Sequence, residues 1–227
     1  MTTHESQLTT FARGMLRPPP TQTPVEWCEE NIRFDEAEYR GPFLTRRAEY
    51  IRDIINDFAN RSLTDIVLCW GSQTKKTGCL MAGALWSIRH DPGGIFWVMP
   101  TASLARKFSK QRLMPMVRTS LSDLVPLGAA RHDFSTCDML LGAAVVNLTG
   151  SNSPANLSST PSRRIILDEV DKFDDGGRGE ADAVNLAEQR SKNVPCPQRW
   201  KTSTPTLYTA LIWQAFQTGD QRRYFVP

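Results

Sequence analysis

The sequence predicts an α/β fold, with a mostly parallel central sheet flanked by helices. Short apolar runs such as Ile66-Val67-Leu68-Cys69-Trp70 and Ile165-Ile166-Leu167 alternate with helical runs, and the strand-like runs end in polar loops. Strands buried on both faces read this way. The chain has 227 residues, 40% of them hydrophobic, enough for one substantial core.

Three classes of protein fit the composition poorly. The apolar runs are interrupted by Gly, Pro or charge well before the roughly 20 residues that a membrane-spanning helix needs. The first fifteen residues lack the apolar stretch of a signal peptide. The five cysteines, Cys28, Cys69, Cys79, Cys137 and Cys196, form no C-x-x-C pair, which argues against a zinc knuckle or a disulfide framework and fits a reducing cytoplasm. His4, His90 and His132 show no ligand spacing, so no structural metal is expected. A net charge of +3 is only mildly basic, and any contact with a polyanion must come from a local patch.

Taken in order, residues 1–24 are polar and carry Pro18, Pro19, Pro20 and Pro24, which favours an extended arm. Residues 25–60 are expected to form a lead-in helical segment packed on the core, with Tyr50, Ile51, Ile54, Ile55 and Phe58 at helical spacing. The core is expected over 61–227. Its first strand, 66–70, is followed by a polar loop and a helix over 77–88. A second strand, 95–99, is closed by Pro100-Thr101 and leads to a helix from Ala102 that Pro115 breaks and restarts. A hairpin over 138–148 turns near Gly142, and a strand over 165–167, a helix over 181–192 and a strand over 199–203 complete the set.

Two of the strand ends carry chemistry. Gly71-Ser72-Gln73-Thr74-Lys75-Lys76-Thr77 lies between an apolar strand and a helix, the context of a phosphate-binding loop. Backbone N–H groups converge there on phosphates, a Lys reaches the β/γ-phosphates of ATP, and a Thr hydroxyl ligates Mg²⁺. Lys76 and Thr77 hold those last two places. By itself the loop reads equally well as a strand-to-helix turn with solvated lysines. Asp168-Glu169, ending the strand over 165–167, taken alone reads more readily as an ordinary strand ending in exposed acids, but the two signals together, about ninety residues apart and each after a buried strand, favour the P-loop reading. Such a strand delivers its first acid to the Mg²⁺ shell, and the next acid can deprotonate the attacking water. Asp168 is therefore expected on the metal and Glu169 as the base, both at the carboxyl edge of one sheet.

With these residues in place, the chain resembles the GpA-type large terminase of tailed bacteriophages, in its N-terminal ATPase domain. The likeness runs from about residue 16 to 227. It rests on Gly41-Pro42-Phe43, the 71–77 loop, Pro100-Thr101 with Phe108-Ser109-Lys110, the 150–157 segment, Asp168-Glu169-Val170-Asp171, Leu186-Ala187-Glu188-Gln189-Arg190 and Ser203-Thr204-Pro205-Thr206. The resemblance implies a RecA-like (ASCE) P-loop NTPase, with the catalytic Glu on the strand next to the phosphate loop. It implies an ATPase that drives double-stranded DNA into a procapsid in the host cytoplasm, with a small terminase subunit, the portal and further copies of itself as partners. The family's nuclease half is absent from this chain, so DNA cleavage is expected only of the full-length protein.

The resemblance also makes Ser203 and Thr204 the coupling hydroxyls that sense the γ-phosphate. Arg190 becomes a finger or sensor candidate, a role that an arginine of the basic stretch Arg106, Lys107, Lys110, Arg112 and Arg118 fills equally well. Arg106, Lys107 and Lys110 form a stripe suited to DNA phosphates or to plain solvation. The 150–157 segment is a further phosphate-contact candidate. Two departures stand out: Lys75 replaces the family's usual glycine, and no adenine-recognition glutamine appears over 43–50. A RecA-like helicase and a catalytically weak assembly module that binds portal, small subunit or DNA are the competing readings.

Overall fold

The computed structural model describes residues 22–35, 40–127, 132–153, 157, 161–173 and 182–225. The expected N-terminal arm lies outside the described residues except for its last three. Helix α1 (Pro24–Asn31) opens the described chain, and its start is written locally. Thr23 accepts from the Glu26 N–H while Glu26 accepts from the Thr23 N–H, a capping box with Pro24 in the first turn. Strands β1 (Arg33–Asp35) and β2 (Arg40–Pro42) form an antiparallel ribbon. Helix α2 (Ile51–Asn56) continues into a 3₁₀ turn, Asp57–Ala59.

The central sheet has six strands: β3 (Asp65–Cys69), β4 (Gly94–Met99), β5 (Asp138–Leu141), β6 (Ala144–Gly150), β7 (Arg164–Asp168) and β8 (Gln198–Ser203). Their order is β3-β8-β7-β4-β6-β5, parallel throughout except for the β5–β6 hairpin. That hairpin turns at Gly142, whose φ of 61° suits a residue without a Cβ. One expectation is corrected here. The strand bearing Glu169 is not next to the strand that feeds the phosphate loop, because β8 lies between them. With β4 pairing one edge of β7, the other edge is taken by β8, and β3 pairs with β8 rather than with β7. Parallel pairing is set by such long-range edge choices, which no local run of residues encodes.

Helix α3 (Lys76–His90) follows β3 and is buried along nearly its whole length. The lead-in segment packs on it: Val25, Trp27, Cys28, Ile51, Ile55 and Phe58 join its residues in one apolar cluster. Gly83 is required there, since a Cβ would stand 2.2 Å from the Phe58 ring. Helix α4 (Ala102–Phe108), capped by the Thr101 hydroxyl, does not break at Pro115. It passes through a π turn, Ser109–Leu113, into α5 (Met114–Ser120), whose first turn holds the proline. Beyond β7 come a 3₁₀ turn (Val170–Lys172), α6 (Ala183–Glu188) with a 3₁₀ end at Gln189–Ser191, and finally α7 (Leu211–Gln217) after β8. The ribbon, which interrupts the expected helical lead-in segment, and α7 were not anticipated from the sequence. No helix among the described residues is long and apolar enough to cross a membrane.

Candidate nucleotide site

Parallel strands put β3, β7 and β8 end by end at the carboxyl edge of the sheet. The loop after β3 is held from below by the Trp70 N–H, which donates to the Ser203 carbonyl at 3.1 Å. Within it, Gln73 and Lys75 take left-handed φ values of 58° and 59°, while Thr74 turns its hydroxyl back to the Gly71 carbonyl at 2.8 Å. Left-handed residues alternating with right-handed ones curl successive N–H groups into an anion-binding concavity. Lys75, where the resembled family carries Gly, thus occupies the conformation that glycine adopts without cost.

Lys76 starts α3 and is buried; its ammonium donates to the Gly71 carbonyl at 3.0 Å and to the Thr204 hydroxyl at 2.5 Å. The next residue, Thr77, donates its hydroxyl to Asp168 Oδ2 at 3.2 Å. The two motifs, 91 residues apart in sequence, therefore meet through these side chains. Asp168 is fully buried, and its other oxygen, Oδ1, has no hydrogen-bond partner among the described residues. Burial pushes the Asp168 carboxyl up to about 6 and the adjacent Glu169 adds to the rise, while Thr77, Lys76 and Arg112 pull the other way. A buried carboxylate oxygen with nothing to bind it is costly, and a divalent cation is the partner such an atom fits.

Glu169 leaves the strand in a left-handed conformation, φ 63°, with its N–H held by the Thr202 carbonyl at 2.7 Å and its carboxylate paired with Lys172. A non-glycine residue in that region costs energy, and such strain gathers at active sites. Because β8 is the inserted strand, Ser203 and Thr204 emerge between the phosphate loop and the acidic pair. Ser203 accepts from the Asp171 N–H at 3.4 Å and Thr204 receives Lys76.

Other expected site residues lie elsewhere. Arg190 does not join the site in its own chain: its carbonyl accepts from the Ser162 N–H at 3.0 Å, ahead of β7. That is the amino edge of the sheet, a five-residue strand or roughly 16 Å away. Arg106, Lys107 and Lys110 are exposed, and Arg106 and Lys110 lie near Cys137 beside β5, three strands from β7. Arg112, half-buried on the π turn, is the member of that stretch whose charge reaches Asp168. In the 150–157 segment, Ser151 spends its hydroxyl on the Pro100 carbonyl at 2.8 Å, and residues 154–156 lie outside the described residues.

Sequence reading also missed Tyr50. Its hydroxyl donates to the Thr74 carbonyl at 3.2 Å, and its ring packs against Trp70 and Tyr224 at centroid distances of 5.8 and 5.7 Å. No sequence signal links a lone tyrosine before β3 to the loop after it. Among the described residues there is no cluster of three His, Cys, Asp or Glu side chains suited to a metal.

Residues 37–227 match the family model for the phage terminase large subunit gpA, ATPase domain. The chain belongs to that family. A solved structure agrees at the level of the fold: the large terminase ATPase domain of Thermus phage P74-26 superposes with a TM-score of 0.50 at 17% identity, covering 89% of this chain and 76% of that one. An arginine-to-alanine mutant of the same Thermus phage domain gives a TM-score of 0.49 at 18% identity, over 79% and 71%. No curated protein matches the chain. The mostly parallel sheet flanked by helices is thus the P-loop NTPase-like fold of terminase ATPase domains, as the sequence predicts.

Proposed function

We propose that this terminase ATPase domain hydrolyses ATP to move double-stranded DNA. The observation that carries the reading is the Thr77 hydroxyl on Asp168 Oδ2 at 3.2 Å, with the second Asp168 oxygen buried and unpartnered among the described residues. The N–H groups of the 71–77 loop bind the β- and γ-phosphates. Lys76 exchanges the Gly71 carbonyl and Thr204 hydroxyl for phosphate oxygen. Thr77 and Asp168 would hold the Mg²⁺ that accompanies ATP, which supplies neutralisation of charge between the β- and γ-phosphates when bound. Glu169 orients a water and takes its proton as the water attacks the γ-phosphorus, while the bond from that phosphorus to the β–γ bridging oxygen breaks and ADP leaves. Thr204, released by Lys76, reports the γ-phosphate to β8. Motor action further requires other copies of the chain, a small terminase subunit and the portal, in the host cytoplasm.

Phosphate hydrolysis measured with and without duplex DNA tests this reading. Turnover that duplex DNA stimulates is expected. Absence of turnover in both would favour an assembly module, and strand separation a helicase. We further propose that Arg106, Lys107 and Lys110 track DNA phosphates. Removing the three charges should weaken binding to all sequences alike and flatten its salt dependence; an unchanged salt slope would return them to a solvated face.

A further inference from the structure

Helix α7 has no cap of its own. Its N-cap residue, Ala210, has an extended backbone but no side-chain oxygen to offer. The N–H of Ile212 is taken instead by Asp171 Oδ1 at 3.0 Å, from 41 residues earlier in the chain. Asp171 stands two residues beyond Glu169, on the 3₁₀ turn that leaves β7, and its own N–H donates to the coupling hydroxyl of Ser203 at 3.4 Å. Its second oxygen, Oδ2, is buried without a partner among the described residues. Helix α7 packs on β3, on β8 and on this same turn, and Ile212 is fully buried with Val170 and Phe173. One residue therefore joins the turn that carries the base, the coupling strand through its N–H, and, through its carboxylate, a helix lying against the phosphate-loop strand.

We propose that Asp171 is a positioning residue: by capping α7 from the catalytic turn, it holds Glu169 in register with the phosphate-loop and coupling strands. The proposal rests on the ATPase reading for its consequence but not for its geometry. A cap oxygen ordinarily belongs to the helix's own N-cap residue. Placing it on the catalytic turn makes the order of helix and turn interdependent. Glu169, in its left-handed conformation, is otherwise held by two backbone bonds, its N–H on the Thr202 carbonyl at 2.7 Å and its carbonyl under the Lys172 N–H at 2.9 Å, and by the side-chain pairing with Lys172. A displacement of about 1 Å in a reacting group can cost about 10²-fold in rate.

The test separates a stabilising cap from a positioning one. Asp171→Ala in the full chain should lower kcat at least tenfold while KM for ATP stays within about twofold, as expected for a residue that acts through the base. Asp171→Asn keeps an acceptor oxygen and should retain most of kcat. The deciding variant combines Asp171→Ala with Ala210→Asp, which gives α7 a local cap and restores its thermal stability without rebuilding the link. Recovery of the melting temperature with kcat still depressed supports the proposal. Recovery of both together overturns it.

Hydrogen exchange without nucleotide supplies a readout that survives failure of the ATPase reading. In Asp171→Ala, protection should fall over both 168–173 and 211–217. The added Ala210→Asp should restore only 211–217. Restored protection over 168–173, or no loss there at the outset, would overturn the proposal whether or not the parent chain hydrolyses ATP.

Discussion

Strand β7 begins and ends beside a buried carboxylate, and the two are treated in opposite ways. At the amino edge, Asp91 meets three guanidinium groups: Arg164 at 2.5 Å, Arg163 at 2.7 Å and Arg61 at 3.0 Å. Burial is the largest single influence on Asp91 and would raise its pKa, but the three arginines together overcome it and hold the carboxyl below its ordinary value. Arg164 is itself almost wholly buried and also donates to the Phe58 and Asp91 carbonyls. Burial draws its pKa below the ordinary guanidinium value, yet a guanidinium remains charged at neutral pH. At the carboxyl edge, burial instead prevails on Asp168, whose neighbouring cations fail to offset it.

The difference separates a bolt from a socket. The amino-edge carboxylate has its partners built in and ties the start of β7 to the end of α3. The carboxyl-edge one keeps an oxygen unpartnered among the described residues and is flanked by left-handed residues at Lys75 and Glu169. On the proposed reading the first serves stability and the second chemistry, so substitutions at the two ends should fail in different assays.

The largest effect is expected at the socket. Glu169→Gln keeps the shape and much of the hydrogen bonding of the base but cannot accept a proton, so single-turnover ATP hydrolysis should slow by about 10²- to 10⁴-fold. ATP affinity should be retained. Hydrolysis at the parental rate would remove Glu169 from the mechanism. The converse belongs to the bolt: Arg164→Ala leaves Asp91 short of its most buried partner and should cost about 3–5 kcal/mol of unfolding free energy, read by denaturant titration. Nucleotide affinity of the folded protein should not change. A loss of affinity without a loss of stability would erase the distinction between the edges.

An intermediate effect is expected at Asp168, with a definite sign. Its folded pKa of about 6 lies above the ordinary 3.8, so the folded state binds more protons in that window and loses stability as pH rises through it. Without nucleotide or divalent cation, Asp168→Asn should therefore stabilise the protein above pH 6, by at most about 3 kcal/mol. The same shift means that binding of Mg·ATP should weaken as pH falls below about 6, because the protonated acid is a poor ligand. Flat stability and flat affinity across this window would show that Asp168 is as well paired as Asp91.

The smallest effect is expected at Lys75. Replacing it with glycine relieves a left-handed residue and should add about 1 kcal/mol, with phosphate affinity kept or improved as the backbone approaches more closely. Abolished ATP binding would instead make Lys75 a phosphate ligand.

Much of this was legible before folding because it is local. An apolar run followed by polar residues marks where a buried strand surfaces, so the strands over 66–70, 95–99, 165–167 and 199–203 could be read directly, and 71–77, 168–169 and 203–204 could be singled out as candidates. The Thr23–Glu26 capping box was equally local and was overlooked. Pro115 misled, because proline in the first turn of a restarted helix and proline in a break look alike when a π turn accommodates the junction.

The sequence alone determined which residues are candidates for the chemistry, since residue type and the end of a buried strand are properties of a few neighbouring positions. Tertiary structure decided how they are combined. Whether β8 enters between β3 and β7, whether Arg112 or Arg190 faces the acids, and whether Tyr50 and Asp171 reach the loop and α7 all depend on edges and faces brought together from distant parts of the chain. Such pairings are selected by the total burial and hydrogen bonding of the whole sheet. A strand's own residues specify that it will be buried, but not beside which neighbour.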